Sequence, residues 1–222
     1  TPAAVLGILQ EGNKRFLAGE RIQRDFSRQV AATASGQFPM AAVLSCIDSR
    51  TPAEVIFDLG LGDIFSVRVA GNIAASELLG SMEYACNVAG SKLVVVMGHT
   101  SCGAVNAAVD LLAAAKKASE ATGCSNLDSL ITEIQQAIDP RTLKQPAQWQ
   151  PGEKAAYSNE VARRNVIRTI HIIRERSATL DKLVREGKIA IVGGLYDVGT
   201  GQVSFFQTSE SSPAKLDLPL AA

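Results

Sequence analysis

The chain has 222 residues, 46% of them hydrophobic, which is enough to bury a substantial core and too apolar for a disordered polymer. Lys plus Arg and Asp plus Glu number 22 each, so there is no basic surplus to attract nucleic acid or anionic lipid. The longest apolar runs, 93–97 and 189–192, fall far short of the ~20 residues that a membrane-spanning helix needs.

Residues 3–18 place Val5, Ile8, Leu9 and Phe16 on one helical face, with Leu6 and Leu17 widening it. A polar stretch rich in Arg, Gln and Ser follows, so residues 1–35 read as an N-terminal helical arm lying on a surface. Strands then alternate with helices. Ala41–Cys46 is an apolar strand, and Pro52 opens a helix through Leu59. Ile64–Val69 is a second strand, with a helix from Ala74 to Val88 after Gly71-Asn72. Lys92–Gly98 is a third strand, and Gly103–Lys116 the helix behind it. Helices are expected over 127–138, 153–175 and 179–186, with Pro140, Pro146 and Pro151 marking loops. Lys188–Leu195 is a fourth strand, and Gln202–Gln207 an antiparallel edge strand. The pattern predicts one α/β domain over 1–222, built on a mostly parallel sheet flanked by helices. In such sheets the ligand site lies beyond the carboxyl ends of the strands.

Four cysteines in a chain of this size do not form a disulfide framework, and no C-x-x-C pair suggests a redox centre. That points to the cytoplasm, although a start at Thr1-Pro2-Ala3 also suits a chain trimmed on export. Cys86 and Cys124 have no polar motif around them and read as inert thiols; His171 reads as an ordinary helix residue. Cys46 ends the first strand, while His99 and Cys102 stand three residues apart just after the third. Thiolate and imidazole are ligands that Zn²⁺ favours, and a Cys₂His set leaves one tetrahedral position for water. H-x-x-C alone is a weak signal, more often a pair of buried structural residues, and adding Cys46 makes the two readings equal. The residues after Cys46 add the deciding information.

The segment Cys46-Ile47-Asp48-Ser49-Arg50-Thr51-Pro52-Ala53-Glu54 resembles the signature of β-class carbonic anhydrases, and His99-Thr100-Ser101-Cys102-Gly103 resembles its second half. Further landmarks are 11–16, 62–65, 68–72, 81–85 and 194–198; residues 115–150 match less clearly. The resemblance implies one Zn²⁺ per subunit on Cys46, His99 and Cys102, and hydration of CO₂ to bicarbonate by a zinc-bound hydroxide. It implies an Asp48–Arg50 dyad, with Arg50 holding Asp48 off the metal, and it leaves Ser49 as a cap or turn residue. It places Gln37, Phe65, Ala70, Gly71 and Tyr84 around the substrate, partly across a subunit interface. A homodimer, or a tetramer made of two dimers, follows from it, with the arm packing on a partner subunit. Val43 stands where allosteric members carry Trp, so the plant-like, non-allosteric type is expected.

Overall fold

The computed structural model describes residues 1–206, so Gln207 of the expected edge strand lies outside them. Four strands run parallel: β1 (Ala41–Ser45), β2 (Ile64–Arg68), β3 (Leu93–His99) and β4 (Ala190–Tyr196). The fifth, β5 (Val203–Phe206), is antiparallel to β4, and the order is β2-β1-β3-β4-β5. Every residue of β1 and β3 is buried, because both are central strands covered on two faces. Alternation splits them: Ala41, Val43, Val95 and Met97 face one core, and Leu44, Val94 and Val96 face the other.

Helix α1 (Pro2–Ala18) starts at Thr1, whose hydroxyl accepts the Ala4 N–H, and ends at Gly19 in the left-handed conformation. Its Val5 and Leu9 belong to the first core, so α1 packs on its own chain. Gly12 permits this, since a Cβ there would stand 1.8 Å from the Phe57 carbonyl oxygen. The polar stretch holds a second helix that periodicity did not announce, α2 (Phe26–Thr33), capped by the Asp25 carboxylate on the Arg28 N–H. It buries none of its residues, so its short apolar face, Phe26 and Val30, is left uncovered on this chain.

Helix α3 (Ala53–Ile56) stops short of the expected Leu59 because Asp58 turns left-handed, at φ 47°, to reach two arginines of the arm. Helix α4 (Ser76–Glu83) begins two residues later than Ala74 and runs into a single π-turn, Tyr84–Val88. Helix α5 (Gly103–Ala113) ends early at Ala115, which is also left-handed. Two short helices follow, α6 (Ala118–Thr122), which the sequence reading passed over, and α7 (Leu127–Gln135). The long α8 (Glu153–Arg176) covers β3 and β4, and α9 (Ala178–Arg185) is split from it by Ser177, whose hydroxyl caps Leu180 N–H. Among the described residues, no helix is long and apolar enough to cross a membrane.

Candidate metal centre

Strands β1 and β3 are parallel neighbours, so their carboxyl ends emerge together. Ser45 pairs with Met97, which brings Cys46 level with Gly98 and next to His99. The chain then turns sharply through Ser101, at φ 55°. The turn is held at three points. Thr100 N–H donates to the Tyr196 carbonyl (2.9 Å), the Thr100 hydroxyl accepts Val198 N–H (3.0 Å), and Ser101 N–H donates to Asn159 Oδ1 (2.9 Å). Cys102 arrives at the N-cap of α5. One ligand atom each from Cys46, His99 and Cys102 lies within 4.8 Å of the others, and all three residues are buried.

Their electrostatics suit a cation. His99 Nδ1 lies 2.9 Å from the Thr100 carbonyl oxygen, so Nδ1 carries the proton and Nε2 keeps its lone pair. That Nε2 is buried and finds no hydrogen-bond partner, an arrangement that costs free energy unless something accepts the lone pair. Cys46 is held down to about 4: the Cys102 thiol beside it favours its thiolate, outweighing burial, and the N–H groups of Gly71 and Asp48 assist. The neighbouring Cys46 sulfur and burial push Cys102 up, although the Val105 and Ala104 N–H groups opening α5 favour its thiolate. One thiolate is therefore ready, and the second needs a positive charge beside it. A buried S, S, N set with an unused imidazole lone pair fits a divalent metal of the zinc type.

Asp48 and Arg50 sit at the mouth of this group. Arg50 donates Nε to Asp48 Oδ1 (2.9 Å) and Nη2 to Oδ2 (2.8 Å), and its backbone N–H also donates to Oδ1 (2.9 Å). This grip holds the Asp48 carboxyl well below the usual carboxylate range. Oδ2 comes within 3.9 Å of His99 Nε2 yet stays committed to Arg50. Ser49 is a turn residue, in the turn that the Thr51 N–H closes on the Asp48 carbonyl (3.0 Å). The Thr51 hydroxyl lies 2.9 Å from the Asp48 carbonyl oxygen and 3.2 Å from that of Cys46. Arg68 reaches the same two carbonyls, with Nε on Cys46 O (3.0 Å) and Nη2 on Asp48 O (2.6 Å).

The other expected site residues divide in two. Ala70 and Gly71 lie in the 70–72 turn after β2, beside Cys46. Gln37, Phe65 and Tyr84 are not brought to the ligands of their own chain. Phe65 pairs with Ala42, four residues before Cys46 along β1, or roughly 13 Å at the rise of a strand. It meets Tyr84 edge-on (centroids 6.1 Å apart) in a cleft of about 660 Å³ along the β2 edge, which Arg68 and Glu77 also line. Gln37 is exposed ahead of the opposite end of β1. His171 and Cys124 are exposed, and burial raises the Cys86 thiol to about 11. Trp149 packs on Tyr157 beneath Lys144. Sequence reasoning missed the bracing roles of Thr51, Arg68 and Asn159. Thr51 and Arg68 stood inside quoted motifs, but nothing local marks Asn159, whose partner is 58 residues away.

A helix-flanked, mostly parallel sheet with a Cys₂His cluster at its strand ends defines an α/β protein with a candidate metal centre. The family model described as carbonic anhydrase matches residues 41–203. "Carbonic anhydrase 2" of Mycobacterium tuberculosis is 39% identical over 206 residues, covering 90% of this chain and 91% of its own. Among solved structures, the β-carbonic anhydrase CafA of Aspergillus fumigatus superposes with a TM-score of 0.69 at 24% identity, over 94% of this chain and 91% of that one. A tetrameric β-carbonic anhydrase of Sordaria macrospora gives 0.67 at 21%, over 82% and 91%. At those identities the structures establish the fold alone. The chain belongs to the β-carbonic anhydrase family and is a lyase of that class, whose reaction is the hydration of carbon dioxide.

Proposed function

We propose that the chain binds one Zn²⁺ through Cys46 Sγ, His99 Nε2 and Cys102 Sγ and catalyses CO₂ + H₂O ⇌ HCO₃⁻ + H⁺. The observation that carries this reading is the convergence of two buried sulfurs and an unpartnered imidazole nitrogen within 4.8 Å. When bound, Zn²⁺ supplies an acidified water, its pKa lowered from 15.7 to about 7, as the nucleophile. Asp48 supplies orientation. Its carboxylate would accept a hydrogen bond from the O–H of the nucleophile and so orient it toward CO₂. Arg50 keeps that carboxylate ionised and out of the ligand set. Thr51 and Arg68 fix the backbone between Cys46 and Asp48, so ligand and dyad move as one body.

The active unit in this reading is a homo-oligomer, a dimer or a pair of dimers. Gln37, Phe65 and Tyr84 complete the substrate pocket of the partner's centre rather than their own, which agrees with their distance from Cys46 along β1. Phe38 is 91% exposed beside Gln37, and Phe26 and Val30 of the arm are uncovered as well. The Sordaria relative is described as tetrameric. Val43 is wholly buried in the first core, where a Trp side chain would not fit without repacking, in keeping with the non-allosteric type.

Cys102→Ala decides the reading. The variant loses zinc, measured by elemental analysis, together with CO₂ hydration, measured by stopped flow with a pH indicator. Full zinc retention in the variant, or wild-type protein that holds zinc without hydrating CO₂, overturns it.

A further inference from the structure

Gly71 has two tasks at the metal centre. Its N–H is directed toward the Cys46 sulfur and helps hold that thiol below its ordinary range. Its residue adopts φ 68°, ψ 19°, and a Cβ there would stand 2.3 Å from Ile134 Cδ1, so both backbone and space call for glycine. Glycine is also the residue least able to hold a conformation by itself. The start of its turn is tied down by Val69 N–H on the Ser45 carbonyl (3.0 Å) and Asn72 N–H on the Val69 carbonyl (3.0 Å). The Gly71 carbonyl is tied down from elsewhere, by Asn165 Nδ2 of α8 at 2.7 Å, across 94 residues of chain.

Asn165 is fully buried, and its Oδ1 finds no partner. A residue placed there only to fill the core would be an apolar side chain of similar size, since a half-satisfied buried amide costs stability. α8 is also pressed onto the strand that carries His99: a Cβ on Gly98 would stand 2.7 Å from Val166 Cγ2, the residue next to Asn165.

The geometry points to Asn165 as a positioning residue of the metal centre, which fixes through the Gly71 carbonyl the turn that aims an N–H at the Cys46 sulfur. The inference rests on the metal reading above and adds to it a residue from a distant helix. Without the Asn165 bond the glycine turn relaxes, the N–H leaves the sulfur, and the thiolate binds its ion with less geometric support.

The test compares wild type with Asn165→Leu in two measurements, zinc release to a chromogenic chelator and the sulfur-to-cobalt charge-transfer band of Co²⁺-substituted protein. Zinc release is expected to accelerate about tenfold or more, the usual scale for losing a partner outside the ligand set. The band moves to longer wavelength, because a sulfur freed of an N–H bond holds its electrons less tightly. A variant with lowered thermal stability but wild-type release rate and band position overturns the inference. Asn165→Asp, which keeps the shape and lacks the N–H donor, gives the same reading if the leucine variant does not fold. Failure of both to fold returns Asn165 to the core and likewise overturns it. Wild-type protein that takes up neither ion sinks the metal reading instead.

Discussion

Asp48 and Asp58 are both carboxylates held by arginine, one at the metal centre and one beneath the N-terminal arm. Asp48 is gripped by Arg50, two residues on, in a closed local ring whose arginine is half exposed. Asp58 is gripped by Arg15 Nε (2.6 Å) and Arg24 Nη1 (2.5 Å), from 43 and 34 residues away, with the Ile22 N–H adding a third group. Its side chain is 1% exposed. Burial works against its charge, and the two arginines outweigh that, so it too is held below the usual range. The same chemistry thus performs two functions. A local pair open to solvent sets the state of one reactive group, whereas a buried pair across the chain ties an arm to the core.

Breaking the second grip has the larger expected effect. Asp58→Asn preserves the left-handed backbone, which Asn tolerates, and removes the charge together with one of the two acceptor oxygens. It should lower stability to urea by about 3 kcal/mol, the scale for leaving buried partners uncompensated. The difference from wild type should shrink with acid. A carboxyl depressed by folding contributes above its unfolded pKa near ~4, and that contribution is lost as pH falls through and below it. A constant difference from pH 7 to pH 3 would contradict the assignment.

The first grip should show in catalysis. Asp48→Asn is expected to keep its metal and lose roughly 10²-fold in turnover, about 2.7 kcal/mol of barrier. An unchanged rate would remove Asp48 from the mechanism. Arg50→Gln should cost less, on the order of tenfold, and should alter the pH profile more than the maximum. With Arg50 gone the Asp48 carboxyl returns toward ~4, so the acid limb of the rate profile moves up in pH. Superimposable profiles would show that Arg50 does not govern Asp48.

The comparison also marks what could be read before folding. D-x-R beside Cys46 was legible because its partners adjoin in sequence and the contact needs only a turn. Arg15, Arg24 and Asp58 were not, since nothing in three separate segments announces that they meet. Helix α2 escaped for a related reason. Eight residues with a single apolar pair, Phe26 and Val30, are too short to show a period, and only the Asp25 cap signals its start. α3 was predicted too long because Pro52 marks a beginning, while its end is set by the distant arginines that pull on Asp58.

By itself the sequence determined the alternation of buried strands and helices, the three candidate ligand residues near strand ends, and the Asp48–Arg50 pair. The first follows from side-chain period, and the other two from the likeness of 46–54 and 99–103 to a family signature. Only the tertiary structure decided that Asn159 holds the His99–Cys102 turn, that Asn165 holds Gly71, and that Phe65 and Tyr84 stand away from their own chain's sulfurs. Such placements depend on strand order and on how a helix sits across a sheet. They are set by the packing of whole elements, which no local stretch of chain encodes.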